Sequence, residues 1–242
     1  MAATATNVVH PDDVTASREF GDTADIKVTF DRSRGCALLE QRVVLFDPGR
    51  STARNMGDRQ EVMYVVSGRG ELDVDGERHA LEPGTGVFVA PGETYAIDNP
   101  GPEPLHVVSV VAPADRAPAT AARRVTVRFA DQPELAASPE RTFKYLVNQD
   151  AGCFDVTQFL GIVQPSKAPF HSHTYDEVGY IVEGEGFAHI DGESIPLRSG
   201  SCFHLSPGQE HCIENSGSTP MRILGVFHPS GDPASREYGG NK

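Results

Sequence analysis

An internal repeat at a constant offset of 116 residues constrains this chain more than any other feature of its sequence. When residues 55–99 are placed on residues 171–215 without a gap, 15 of the 45 positions are identical. The identical residues are mostly glycines, prolines and other turn formers, such as Asp75-Gly76 in the first copy and Asp191-Gly192 in the second. Turn residues retained at fixed spacing predict that one fold occurs twice.

The length of the chain agrees with two domains. Its 242 residues divide into halves that are each large enough to bury a core of their own. We predict an N-terminal domain over residues 1–118 and a C-terminal domain over residues 119–242. Residues 112–122, rich in alanine and proline, are expected to connect the two, and residues 123–141 to add a strand and a short helix before the second copy. The glycine-rich C-terminal end is expected to form a loose tail.

The charge balance excludes several classes of partner. The chain carries 34 acidic and 21 basic residues, for a net charge of −13, and its few arginine pairs form no extended basic run. Nucleic acid and anionic membranes are therefore poor candidates. No apolar stretch approaches the roughly 18 to 20 residues that span a bilayer, and the first residues do not resemble a secretion signal. We predict a cytoplasmic protein with no nucleic-acid or membrane partner.

The four cysteines lack the C-x-x-C spacing of redox or zinc motifs. In a reducing compartment, Cys36, Cys153, Cys202 and Cys212 are predicted to be small buried apolar residues. The alternatives are a disulfide between Cys202 and Cys212, or a reactive Cys212 beside His211. No role is assigned to any of them.

Short β-rich runs recur along both copies, separated by Asp-Gly, Gly-x-Gly and Pro-Gly turn signals. This pattern predicts an all-β fold, a barrel or a sandwich, and no long amphipathic helical pattern competes with it. The predicted strands are Ala37–Phe46, Val62–Val66, Glu71–Val74, Val87–Ala90 and Leu105–Val111, then Phe154–Val163, Val178–Val182, Phe187–Ile190, Cys202–Leu205 and Met221–Phe227.

Four residues of the second copy have the spacing of metal ligands. His171 and His173 are two residues apart, so on an extended strand both imidazoles point to the same side. Glu177 follows four residues later, and His211 follows a Pro-Gly turn. Three neutral imidazoles and one carboxylate suit Fe, Mn, Ni, Co, Cu or Zn and leave coordination positions open. We predict one divalent transition metal per chain, held by these four residues.

Together these motifs resemble those of the cupin superfamily in its two-domain form, the bicupins. The first cupin motif contains H-x-H, a later Glu and a Gly, and the second contains Gly, Pro-x-Gly, His and Asn. In this chain they are met by His171, His173, Glu177 and Gly184, and by Gly200, Gly208, His211 and Asn215. One departure is that Ser206 stands at the proline position and Pro207 follows it. The resemblance covers residues 37–111 and 143–229 and implies two tandem cupin (jelly-roll-like) β-barrels.

The first copy carries a degenerate version of the site. The positions that correspond to the four ligands hold Asn55, Gly57, Glu61 and Tyr95, of which only Glu61 is a good ligand. We expect this barrel to bind no metal and to serve as a scaffold that pairs with the second barrel, as the halves of bicupins do. The alternative is a metal-free pocket in which Glu61 and Tyr95 act as acid and base. The protein is then either a monomer with intrachain barrel pairing or a homodimer.

The resemblance also implies which residues line the bowl of the second barrel. Glu177 is expected to remain a ligand or to detach and act as a base. His189 and His204 are candidate proton carriers, because histidine is unusual on short apolar strands. Ordinary packing is the alternative for each residue other than the ligands, and His79, His106 and His228 are predicted to lie on the surface. The candidate catalytic residues are Glu177, His189 and His204, and the candidate substrate-binding residues are Gln158, Phe159, Phe170 and Tyr175.

The predicted function is that of a metal-dependent enzyme with a small-molecule substrate. The leading hypothesis is a dioxygenase-like oxidoreductase that acts at the second barrel. One alternative is a redox-neutral isomerase, cyclase or lyase in which the metal is a Lewis acid. Another is a metal-binding or metabolite-binding protein without turnover.

Overall fold

The computed structural model describes residues 7–118 and 123–235. Within these ranges the chain forms 22 β-strands and four single turns of 3₁₀-helix, Pro11–Asp13, Arg32–Arg34, Phe129–Asp131 and Gln149–Ala151. None of the helical segments in the described ranges is long or apolar enough to cross a membrane. The predicted all-β fold is confirmed. Part of the predicted connection, residues 119–122, and the predicted tail from residue 236 onward lie outside the described residues.

The strands of the first copy begin near the N-terminus and end after the connection between the copies. They are β1 (Val8–Val9), β2 (Ala24–Phe30), β3 (Glu40–Phe46), β4 (Gly49–Arg50), β5 (Arg54–Asn55), β6 (Gln60–Ser67), β7 (Gly70–Val74), β8 (Glu77–Leu81), β9 (Thr85–Val89), β10 (Thr94–Asn99), β11 (Leu105–Ala112) and β12 (Thr126–Arg128).

The second copy follows the same order. Its strands are β13 (Leu135–Ser138), β14 (Arg141–Val147), β15 (Thr157–Val163), β16 (Ser166–Lys167), β17 (Asp176–Glu183), β18 (Glu185–Ile190), β19 (Glu193–Arg198), β20 (Cys202–Leu205), β21 (His211–Asn215) and β22 (Met221–His228). Every predicted strand is present, and the structure adds several, among them β2, β14 and β21.

Each copy closes two antiparallel sheets around one core. In the first, the sheet β12-β9-β6-β11-β3-β2 faces the sheet β4-β10-β7-β8, to which β5 is joined through β10. In the second, the sheet β1-β20-β17-β22-β15-β14-β13 faces the sheet β16-β21-β18-β19. Alternate residues of the facing sheets share an apolar cluster in each barrel. The predicted tandem barrels are thereby confirmed.

The retained turn residues have the conformations that explain their retention. Asp75 and Asp191 both have positive φ angles, 47° and 52°, and each precedes a glycine that also has positive φ. Two successive residues with positive φ form the tight turn that joins two antiparallel strands in register. Most other residues adopt this conformation only with strain, which explains why both copies have an Asp-Gly pair at this turn.

Each half of the chain contributes a strand to the other half's barrel. Near the N-terminus, β1 pairs with β20, while β12, which follows the connection, pairs with β9. Residues 123–141 therefore contain the expected strand and short helix, but β12 extends the sheet of the first barrel. The division into domains at residues 118 and 119 remains a prediction.

The two barrels pack against each other through the outer faces of their larger sheets. Val62, Val108 and Val110 on one side and Val178 and Leu224 on the other belong to one continuous buried apolar cluster. Fully burying a side chain of this size is worth ~1.5–3 kcal/mol. The cluster also explains why β6, β11, β17 and β22 are largely apolar on both faces. One face of each strand packs inside its own barrel, and the other packs between the barrels.

All four cysteines are buried and free. The predicted role as small buried residues is confirmed, and the alternative disulfide between Cys202 and Cys212 is wrong. The Cys212 thiol donates to the carbonyl oxygen of Ala168 at 2.9 Å, and burial raises its pKa. Cys212 is therefore not a reactive thiolate beside His211.

Candidate metal centre

Three of the predicted ligands converge in the second barrel. His171 and His211 form an isolated antiparallel bridge, in which each backbone N–H donates to the other's carbonyl oxygen at 3.0 and 2.9 Å. His173 lies two residues beyond His171 and so presents its ring to the same side. One ligand atom of each of these three buried histidines lies within 4.8 Å of those of the other two.

Backbone carbonyls fix the orientation of two of the rings. Nδ1–H of His171 donates to the carbonyl oxygen of Pro169 at 3.0 Å, and Nδ1–H of His211 donates to that of Gln209 at 2.9 Å. Because a carbonyl only accepts, Nδ1 carries the proton in both rings and the Nε2 lone pair is available for a metal. Burial lowers the pKa of His211, which favours the neutral imidazole that metal binding requires.

The third ring is held by an aromatic stack. Nδ1 of His173 lies 3.0 Å from the hydroxyl of Tyr175, and the two rings are stacked with their centroids 4.7 Å apart. The other face of Tyr175 stacks on Phe227 at 4.1 Å. Tyr175 therefore positions His173 from behind, as second-layer partners of metal ligands commonly do.

Glu177 stands at the edge of the histidine cluster. Its Oε2 lies 3.7 Å from Nε2 of His173. Burial raises the pKa of the Glu177 carboxyl to about 8, so at neutral pH the metal-free protein holds it mostly protonated. A divalent cation would favour the carboxylate, because a nearby positive charge offsets the cost of burying a negative one. Three neutral imidazoles and this carboxyl fit a divalent transition metal.

The cluster opens into a small cavity of about 90 Å³. Besides the four predicted ligands, its polar lining includes Arg141 and Thr142 on β14, and the hydroxyl of Thr142 donates to Glu134. The guanidinium of Arg141 donates to the carbonyl oxygen of Ile213 at 2.6 Å, which ties it to β21. The apolar lining is Ala137, Phe143, Phe159, Gly161, Val163, Phe203, Ile213, Ile223, Phe227 and Pro233.

An aromatic wall requires one particular glycine. The ring of Phe159 packs against Phe227, with ring centroids 4.9 Å apart, and lies over Gly225. A Cβ atom at Gly225 would lie 2.4 Å from the Phe159 ring, closer than packing allows. The corresponding residue of the first barrel is Ser109, whose hydroxyl donates to Glu61. Glycine at this position therefore allows an aromatic cavity wall in the second barrel, whereas serine makes a polar contact in the first.

The corresponding site of the first barrel is filled. The hydroxyl of Tyr95 donates to Glu61 Oε2 at 2.8 Å, and that of Ser109 donates to Oε1. The remaining space is about 10 Å³, roughly that of one water. Asn55 is exposed and caps a turn by accepting from the N–H of Gly57. This space leaves no room for a substrate between Glu61 and Tyr95, so the alternative of an acid–base pocket has no structural support.

The structure brings one of the four predicted substrate-binding residues into the cavity, Phe159. Tyr175 contacts His173 instead of lining the cavity. On β15, Phe159 faces inward, so Gln158 faces the packing between the barrels, against Gly86. Phe170 is 42% exposed and lies beside His189 outside the cavity.

The two candidate proton carriers lie away from the cavity for the same geometric reason. Ala188 and Ile190 face the core of the second barrel, so His189 between them faces outward, where it contacts Ser194 and Glu214. Phe203 and Leu205 likewise face inward, so His204 lies between the barrels. Its Nε2 is 3.0 Å from Asp176 Oδ1.

Of the remaining histidines predicted to lie on the surface, His228 is buried, and that prediction was wrong. Its place opposite Asp176 in the β17–β22 register puts it in the packing between the barrels.

Sequence reasoning missed Arg141, Thr142, Phe143 and Phe227. The first three lie on β14, a strand that was not predicted because its charged residues interrupt the apolar alternation. A usable signal was the spacing of Arg141, Phe143 and Tyr145, since residues two apart share a face of a strand.

Comparisons with known proteins agree with this architecture. The family model described as Cupin domain matches the chain twice, over residues 42–111 and 159–227. The two matches fall on the two barrels, and the second spans all four predicted ligands.

Several curated proteins match part of the chain. An oxalate-binding protein of Thermotoga maritima is 36% identical over 63 residues, which are 26% of this chain and 52% of that protein. An uncharacterized protein of Methanocaldococcus jannaschii is 37% identical over 65 residues, again 26% and 52%. The tetracenomycin polyketide synthase protein TcmJ of Streptomyces glaucescens is 32% identical over 60 residues, 24% and 40%. The chain thus spans about half the length, or less, of these three relatives.

Solved structures share the fold over nearly the whole chain. The protein Ylba of E. coli superposes with a TM-score of 0.75 at 16% identity and covers 96% of each chain. An oxalate decarboxylase variant of Bacillus subtilis superposes with a TM-score of 0.73 at 13% identity over 94% of this chain and 78% of that one. At such identities the likeness concerns the fold.

Proposed function

The chain belongs to the Cupin domain family, and we propose that its second barrel is a metal-dependent active site for a small anionic substrate with two neighbouring oxygen atoms. The observation that carries this proposal is the convergence of three buried histidines beside Glu177, in one cavity with the guanidinium of Arg141. His171, His173, His211 and Glu177 would hold the metal. When bound, the metal would supply Lewis-acid or redox chemistry to a chelating substrate.

The size of the cavity supports a compact substrate. About 90 Å³ is well below the roughly 300–1,000 Å³ of pockets that take drug-sized ligands. It accommodates a molecule of the size of oxalate or of a short 2-hydroxy or 2-oxo acid. The names of an oxalate-binding relative and an oxalate decarboxylase neighbour support the same class.

Charge supports an anion. Arg141 presents a permanent positive charge with several donors in a fixed fork, which matches the geometry of a carboxylate. Phe143, Phe159 and Phe227 give the same cavity an apolar lining, and such low-polarity surroundings strengthen an ion pair. The chain's residues thus provide one binding point for a carboxylate and an apolar cover.

Glu177 is the residue of the cavity best suited to carry a proton. Without a metal beside it, burial raises its pKa to about 8, close to neutral pH, so a Glu177 carboxylate that detaches from the metal would readily accept a proton. Tyr175 acts through His173 and is a positioning residue, because its hydroxyl contacts the ring and not the cavity.

Within this site, the dioxygenase-like oxidation of the substrate remains our leading proposal. A redox-neutral isomerase, cyclase or lyase reaction uses the same ligands. A non-catalytic role in binding is favoured by one observation, the similarity to a protein named for oxalate binding.

Elemental analysis of the purified protein, followed by assays in air and under argon, distinguishes these functions. Dioxygen uptake coupled to loss of a small chelating acid would support the dioxygenase-like hypothesis. Equal turnover with and without dioxygen would support a redox-neutral reaction, and binding without turnover would support a non-catalytic binding protein. No metal after reconstitution would refute the proposal as a whole.

The role of Arg141 is tested by binding. We expect Arg141→Gln to weaken the affinity of the metal-loaded protein for oxalate by about 10- to 100-fold, because a charge-assisted hydrogen bond contributes ~1.5–3 kcal/mol. Lys144→Gln on the same strand is the matched control, since Lys144 lies over Phe129, outside the cavity. Equal affinity of the two variants in calorimetry would contradict the role of Arg141.

A further inference from the structure

A second cluster of metal-binding side chains lies between the barrels. Cys36 of the first copy and Asp176 and His204 of the second each offer a ligand atom, and the three atoms lie within 4.8 Å of one another. All three residues are at least 95% buried. We propose that this cluster binds a divalent zinc-like cation and is a metal site that joins the two barrels, separate from the metal centre of the cavity.

The register of the sheet explains why these side chains meet. His204 lies opposite Val178 on β17, and Asp176 is two residues from Val178. The side chains of His204 and Asp176 therefore share the outer face of the sheet. Cys36 reaches this face from the first barrel, directly after the turn Arg32–Arg34 and Gly35. The site therefore requires both barrels in place.

The donor set is typical of zinc. A thiolate, an imidazole and a carboxylate bind Zn²⁺ at ~2.0–2.3 Å, and structural zinc sites of this kind are closed by four ligands. The pair already in contact, His204 Nε2 and Asp176 Oδ1, is 3.0 Å apart. Adjacent donors in a tetrahedral zinc site are about 3–4 Å apart, so Cys36 needs to approach by little more than an ångström.

A buried histidine provides the independent sign that a ligand is expected here. His228 is 5% exposed, and neither of its ring nitrogens has a hydrogen-bond partner in the described part of the chain. It lies directly opposite Asp176 in the β17–β22 register, which places the two Cβ atoms about 5 Å apart on one face. Leaving such a polar group unpaired costs ~1–3 kcal/mol. Coordination by His228 as the fourth ligand removes this cost.

A nucleophilic triad of Cys36, His204 and Asp176 is less consistent with the structure. The Cys36 side chain is 1% exposed, so a substrate does not reach it. Burial raises the pKa of its thiol to about 12, whereas nucleophilic cysteines have lowered values. A metal ion displaces the thiol proton on binding, as zinc does at structural sites.

The two sites share one strand. Asp176 and Glu177 are successive residues of β17, so their side chains point to opposite faces of the sheet. An ion on Asp176 fixes the start of β17 against the first barrel and thereby holds Glu177 in the cavity. This placement gives the first barrel a role in the metal centre of the second.

Cobalt titration of the metal-free protein tests the proposal. A thiolate bound to Co²⁺ gives an intense near-ultraviolet charge-transfer band, and the cavity site has only nitrogen and oxygen ligands. We expect about two equivalents of Co²⁺ per chain, one of which produces the band. Cys36→Ser should remove the band and one equivalent, whereas Cys153→Ser, the control, should keep both, since its hydroxyl retains the hydrogen bond to Gln60.

Two further measurements keep the test decisive if Cys36→Ser does not fold. His173→Ala should lose the other equivalent and retain the band, so failure of the cavity site and failure of this site are distinguishable. X-ray absorption of the zinc-loaded wild-type protein should show sulfur at ~2.3 Å, on average one sulfur for every two zinc ions, because the cavity site has no sulfur ligand. Absence of sulfur from the zinc shell, or a band that persists in Cys36→Ser, would overturn the proposal.

Discussion

Replacing Glu177 by glutamine should raise the free energy of unfolding of the metal-free protein and lower that of the metal-loaded protein. Burial raises the pKa of Glu177 from 4.5 to about 8 in the folded protein, so the unfolded chain gives up this proton at lower pH than the folded one. The folded state therefore loses stability as the pH rises from 4.5 towards 8. Glutamine has the same shape and no proton to lose, so the variant escapes this penalty.

The size of the effect follows from the same pKa values. Each pKa unit corresponds to 1.36 kcal/mol, so the full difference between 4.5 and about 8 is worth about 5 kcal/mol above pH 8. At about pH 5.5 the unfolded chain is already ionised and the penalty is about 1 kcal/mol. The stability difference between variant and wild type should therefore grow by roughly 3 kcal/mol between about pH 5.5 and pH 8.5.

Urea unfolding with a chelator, at several pH values, measures this difference. Adding the metal should reverse its sign, because the wild-type carboxylate then has a cation beside it and the variant has lost a charged ligand. Glu61→Gln is the matched control: Glu61 is also buried, but Tyr95 and Ser109 donate to it, so its effect should not depend on metal. A Glu177→Gln difference that is constant with pH and unaffected by metal would refute the reasoning.

Three further predictions concern the residues around Glu177. His173→Ala should lose the cavity metal and keep the β-sheet circular dichroism; full occupancy by elemental analysis would exclude His173 as a ligand. Tyr175→Phe keeps the stack on His173 but removes the hydroxyl beside Nδ1, and should lower metal affinity by about 10- to 100-fold in chelator competition; unchanged affinity would show that stacking alone positions the ring. Gly225→Ser should destabilise the protein by ~1–3 kcal/mol, because the new Cβ meets the Phe159 ring; unchanged urea unfolding would show that the ring moves at no cost.

The ligands and turns were predictable because their signals are local. The spacing of His171 and His173 reports a shared strand face, and the Asp-Gly pairs report a backbone conformation that few other residues adopt. Both depend on neighbours in the sequence. The same locality gave every predicted strand, since those runs are either apolar on both faces or alternate between polar and apolar residues.

The remaining features depend on contacts between distant residues. Arg141 lines the cavity because β14 pairs with β15. His204 lies outside the cavity because Phe203, its neighbour on β20, points inward. Parity on a strand says which residues share a face, but only the packing of the sheet decides which face is inside. The cluster of Cys36 and Asp176 joins residues 140 positions apart, so no local pattern marks it.

The fate of the duplicated site follows from the need to compensate a buried carboxyl group. Glu61 and Glu177 occupy equivalent positions, and leaving either one buried without compensation is costly. In the first barrel Tyr95 replaces the histidine and Ser109 replaces the glycine, so two hydroxyls donate to Glu61. In the second barrel Gly225 leaves space for the Phe159 ring and offers no donor, so Glu177 is either protonated, as its pKa of about 8 implies for the metal-free protein, or compensated by a cation beside it. The first barrel thus compensates its glutamate by hydrogen bonds instead of a metal, and a metal site there would require removal of those donors as well as histidines at positions 55, 57 and 95.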